Sequence, residues 1–126
     1  MRRLAITIVL LHLLISLVHG SAHSALRIEM SSWQDVYIYT IILILPLIAA
    51  VLIWRRRAVG FVLLFLSMLG SLIFGVYYHF VLAGPDNISH LGPHAWSLPF
   101  QITAFLLAIT EAAGVVVALG AITRHD

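Results

Sequence analysis

Four apolar stretches occupy most of this 126-residue chain, and they decide the solvent in which it folds. They run roughly over residues 4–20, 37–54, 59–83 and 98–123. A helix needs about 20 apolar residues to cross the hydrocarbon core of a bilayer. Each stretch reaches or nearly reaches that length. Backbone polar groups in lipid must be satisfied within their own segment, so the spans are helices. The expected fold is all-α: a small polytopic integral membrane protein with four transmembrane helices in a bundle. One membrane domain covers 1–126, with outer loops at 21–36 and 84–97.

Composition supports this and closes other routes. Hydrophobic residues make up 62% of the chain and charged residues 10%, against about 25% charged in soluble domains. A water-facing surface of ordinary size cannot be built from that. Cysteine is absent, which excludes disulfides, thiolate metal sites and cysteine nucleophiles. All seven basic residues besides histidine are arginines, so Schiff-base chemistry is excluded too. The net charge of +2 is small and clustered. It reads as membrane topology, with the bilayer as partner and no nucleic acid.

Arg2, Arg3, Arg55, Arg56, Arg57 and Arg124 fall on one side of a four-span topology and Arg27 on the other. The positive-inside bias places both termini in the cytoplasm, in a cell (inner) membrane protein. Trp33, Tyr37, Tyr39, Trp54, Tyr77, Tyr78 and Trp96 mark the span ends as an aromatic belt. Met1-Arg2-Arg3, an apolar run and Gly20-Ser21-Ala22 also fit a secretory signal. Cleavage after Ala22 would leave His23 as an amino-terminal histidine able to chelate copper. The complete four-span charge pattern and His12 in mid-run favour a retained span.

Helical periodicity sets which residues share a face, at about 100° per residue. His12, Ser16, His19 and His23 form a polar stripe on the first span, provided the helix continues past Gly20. On the third, Ser67, Ser71, Gly75 and His79 form a small-residue packing stripe that ends in histidine. On the fourth, Gln101, Ala104, Ala108, Glu111, Gly114 and Ala118 place one ionisable group among small residues. Pro46 should kink the second span by leaving the carbonyl of Ile42 without its donor. Short links favour sequential helices as neighbours.

Two groups of residues could carry chemistry. His12 and Glu111 both fall near mid-membrane, where a charge costs at least about 2.5–3.5 kcal/mol and needs a partner. They are read as a buried polar pair or proton relay; a clamp fixing helix register is the plainer alternative. The second group lies at the outer face: His19, His23, His79, His90 and His94, with Asp86. His19 and His23 have the i, i+4 spacing of a helical chelating pair. Gly92-Pro93 breaks any helix joining His90 to His94, so these would have to converge through the loop. Imidazole and carboxylate without thiolate suit zinc, copper(II), iron, nickel or manganese. The same histidines could instead be interfacial side chains or a pH sensor near pH 6.5.

The loop 84–97 carries two Gly-Pro pairs and an Asp-Asn turn, which predict an ordered fold over the outer face. Asn87-Ile88-Ser89 matches the glycosylation sequon but lies too near the membrane to use. No phosphate-binding glycine loop, His-Glu-x-x-His helix or serine nucleophile elbow occurs, and no internal repeat of the transporter kind is evident. Binding is therefore expected ahead of catalysis. The leading expectation is a histidine-rich extracytoplasmic face that binds, and helps move, a transition-metal ion such as zinc, copper or iron. A homo-oligomer or other membrane subunits would complete a pathway. The alternative is a non-catalytic accessory subunit of a larger membrane redox or transport complex.

Overall fold

The computed structural model describes residues 1–124 and is an antiparallel bundle of four helices. These are α1 (Arg2–Ala25), α2 (Ser32–Trp54), α3 (Val59–Val81) and α4 (Ser97–Ile122), each long and apolar enough to span a membrane. The first two helices outrun the expected spans, whereas α3 ends short of residue 83 and α4 is shifted by one residue. Residues 21–25 and 32–36, expected in the outer loop, are helical, so the first link shrinks to 26–31. That extension keeps the α1 stripe unbroken through His23. Its last turn closes with the N–H of Ile28 donating to the carbonyl of His23.

Sequential helices are neighbours, and α4 also packs on α1, so α1 and α3 stand diagonally. One contact is uneven along its length. Helix α1 packs closely against the Leu45–Trp54 part of α2, while the Ser32–Ile44 part leans on α3 instead. Tyr37 fastens it there, its hydroxyl donating to the carbonyl of Gly70 at 3.0 Å.

Pro46 explains part of this. The irregularity expected on the second span takes the form of a π-helical stretch, Ile38–Ile44, directly before the segment that begins at Leu45. Proline has no N–H to give and its ring crowds the preceding turn, which widens. A second π-helical turn, Tyr77–Val81, ends α3, where the N–H of Leu82 donates to the carbonyl of Tyr77. Single π turns of this kind often sit at functional sites.

At the end of the bundle that carries the arginine cluster, Ala5, Ile8, Val9, Ala50, Ile53, Phe61, Leu64, Met68 and Ala118 form one buried apolar cluster. Glycines there permit very close approach. A Cβ on Gly60 would lie 2.8 Å from the backbone nitrogen of Ile53, and one on Gly114 2.8 Å from Met68 Cγ. The opposite end is polar inside.

Candidate metal centre

Three helices each contribute to the polar end. Helix α1 supplies His19 and His23 on successive turns, α3 supplies His79 from its π-helical end, and α4 supplies Phe100 and Thr103. His19 and His79 come from diagonal helices and meet across the bundle axis, Nε2 to Nε2, at 3.2 Å. Phe100 is fully buried and packs against all three imidazoles, with ring centroids 4.6 Å from His19, 5.0 Å from His23 and 5.4 Å from His79.

Outer hydrogen bonds orient the rings. The hydroxyl of Thr103 lies 2.7 Å from the carbonyl oxygen of Pro99 in its own helix and 2.7 Å from His19 Nδ1, which fastens that ring to α4. His79 Nδ1 lies 3.0 Å from the carbonyl oxygen of Asp86, which can only accept. His79 Nδ1–H thus donates outward, and the Nε2 atoms of the two rings face each other within hydrogen-bond distance. With both Nε2 atoms deprotonated, their lone pairs would converge on one cation, which outer hydrogen bonds of this kind orient in metal sites. Nitrogens held about 2.0–2.1 Å from one tetrahedral zinc stand about 3.3 Å apart. The observed spacing is close to that.

His23 joins from the side. Ligand atoms of His19, His23 and His79 all lie within 4.8 Å of one another, so the group can hold a metal ion. Asp86 adds negative charge: its Oδ1 lies 3.2 Å from His23 Nε2 and 3.3 Å from His79 Nδ1. The residue is only 8% exposed, and neither carboxylate oxygen has a hydrogen-bond partner among the described residues. Buried carboxylates are normally compensated by hydrogen bonds or cations. His23 Nδ1 is likewise buried without a partner. The donors, imidazole and carboxylate, match the borderline metals expected from sequence.

The loop after α3 holds Asp86 in place. The N–H of Ile88 donates to the carbonyl of His79 at 3.0 Å, Asn87 Nδ2 to Leu82 at 3.0 Å, and Gln101 Nε2 to Ile88 at 2.9 Å. Asn87 is buried in this network. His90 and His94 follow on the same loop but are exposed and lie outside the group. His94 Nδ1 instead accepts the N–H of Trp96 at 3.1 Å, before the start of α4. Loop geometry separates them from the trio, as Gly92-Pro93 foreshadowed. Phe100 and Thr103 were not anticipated. Their signal was present in the spacing 100, 103, 107 and 111, which sets them on the same face of α4 as Glu111.

Deeper in the bundle, His12 Nε2 and Glu111 Oε1 are 3.1 Å apart, and the residues are 1% and 3% exposed. They form the expected buried pair across α1 and α4. A cavity of about 530 Å³ links the two levels. It lies where the π-helical part of α2 parts from α1, and is lined by Ser16, His19, His23, His79 and Glu111 among apolar side chains. Gly75 stands at the junction: a Cβ there would lie 3.7 Å from Glu111 Oε2 and 3.9 Å from His79 Cδ2. Comparison with protein-family models, curated proteins and solved structures finds no match for this chain.

Proposed function

We propose that this is an integral membrane protein that captures a divalent transition-metal ion in the histidine-bearing half of its bundle. His19 and His79 bind through Nε2, His23 closes the third position by a side-chain rotation, and Asp86 supplies a fourth ligand or the compensating charge. Thr103 and the carbonyl of Asp86 orient the rings, as outer partners do for metal-bound histidines generally. The observation that carries this reading is the convergence of two imidazole Nε2 atoms at 3.2 Å beside a buried carboxylate. His90 and His94, exposed on the covering loop, act as a first encounter surface in this scheme.

The cavity gives the bound ion somewhere to go. From the trio it leads past Gly75 to Glu111, the partner of His12. The apolar cluster fills the remaining half, so onward passage requires a second conformation. The arginine distribution supports an extracytoplasmic position for the capture site in this reading.

The test is metal content of the purified protein after equilibration with zinc, copper(II) or iron(II). The parent protein should retain one ion per chain. His19→Ala and His79→Ala should each lose it by more than the about 100-fold that removal of an outer partner can cost. Equal metal content in the parent and both variants would end this proposal.

A further inference from the structure

The arginine-bearing end holds a second cavity, of about 490 Å³, unconnected with the histidines. Arg2 reaches it from the start of α1, Arg56 and Arg57 from the α2–α3 turn, and Arg124 from beyond the end of α4. Its remaining wall is apolar and includes Ile53, Phe61 and Ala121. None of the ion pairs among the described residues involves an arginine.

Topology alone does not require this arrangement. The positive-inside bias is satisfied by arginines anywhere on that side of the membrane. Here three separate chain segments bring arginines to the wall of one concavity. The turn between α2 and α3 is tight: the N–H of Arg57 donates to Leu52 at 2.9 Å and that of Arg56 to Ile53 at 3.0 Å. Arg56 takes a left-handed conformation there, φ 59°, as Arg27 does at the opposite end, φ 53°.

We infer that this cavity binds the phosphate of an anionic membrane phospholipid. Guanidinium forks match phosphate oxygens in a bidentate manner, and basic pockets between helix ends are a recurring means of holding lipid head groups. The apolar wall suits the glycerol and first acyl carbons, which a free phosphate lacks. The volume lies within the range usual for small-ligand sites. A lipid seated here would tie α1, the α2–α3 turn and the end of α4 together.

The test uses the full-length protein, delipidated in neutral detergent, with native mass spectrometry and thermal unfolding as readouts. Phosphatidylglycerol, phosphatidylcholine and inorganic phosphate are the probes. Phosphatidylglycerol should bind and raise the unfolding temperature, and the other two should not. Arg57→Gln and Arg124→Gln should each weaken binding about fivefold, while Arg27→Gln, at the opposite end, leaves it unchanged. Helical circular dichroism checks each variant's fold; Arg124→Gln, beyond the last helix, carries the test if Arg57→Gln misfolds. Equal binding of the two lipids, an equal response to inorganic phosphate, or undiminished binding by folded Arg124→Gln would each overturn the inference.

Discussion

The two halves of this bundle use the same four helices to opposite ends. Toward the arginines, α1 to α4 close on an apolar cluster so tight that Gly60 and Gly114 have no room for a methyl group. Toward the histidines the same helices part around a cavity, with imidazoles, the carboxylate residues Asp35 and Glu111, and hydroxyls along its wall. The break falls near the level of His12 and Glu111. What separates the halves is side-chain size and a proline. Small residues pull α2 and α3 together at one end, and the π-helical stretch before Pro46 leads α2 away from α1 at the other. One half holds the fold, which frees the other to keep buried polar groups that a close-packed membrane interior would not tolerate.

Substituting glycine by alanine in each half would break this contrast if it is wrong. The largest effect is expected at Gly60→Ala. The new methyl would meet the Ile53 nitrogen at 2.8 Å and the Ala49 carbonyl oxygen at 3.0 Å, and backbone cannot yield as a side chain does. A loss of about 3 kcal/mol follows from overpacking of this kind, measurable by denaturant titration in detergent. Wild-type stability in that variant would show that the apolar half is looser than described.

A smaller effect is expected at Thr103→Val, which keeps shape but removes the hydroxyl that orients His19. Metal affinity should fall about 10- to 100-fold, with stability little changed, because the hydroxyl's own donation stays within α4. Isothermal titration with zinc separates the two quantities. Unaltered affinity would mean that His19 is positioned by packing on Phe100 alone.

The smallest effect is expected at Gly75→Ala. Its methyl would meet Glu111 and His79 only at 3.7 Å and 3.9 Å, ordinary contact distances. Stability should stay level or rise by up to about 1 kcal/mol from the better helix former. Since the methyl would stand between His79 and Glu111, transfer between the two levels should slow while equilibrium metal content is kept. Transport of zinc into proteoliposomes, set beside metal content, reads both. A large loss of stability here would place Gly75 with Gly60 and Gly114 as a packing glycine.

Much of the fold was legible before any coordinates. Span number and helical class follow from apolar run length, and short links favour sequential helices as neighbours; that α4 also closes on α1 came from the structure. The His12–Glu111 pair was legible because mid-membrane polar groups must find one another. The polar stripe of α1 followed from spacing alone. Less legible were the helix ends: α1 runs to Ala25 because backbone hydrogen bonding carries it beyond the apolar residues used to mark the span. Least legible was membership of the site. His79 and His90 look alike as outer histidines, yet one is buried against His19 and the other is exposed.

The sequence by itself determined four helices long and apolar enough to cross a membrane, with five of the seven histidines gathered toward one end. Run length and 3.6-residue periodicity are local properties, and they suffice for that. Only the tertiary structure decided that His19 and His79 face each other across the diagonal, that Thr103 and the Asp86 carbonyl hold their rings, and that Phe100 lies against all three rings. Those outcomes depend on helix rotation and on one loop's path, set by packing between segments dozens of residues apart. No local pattern encodes a distance between ring nitrogens.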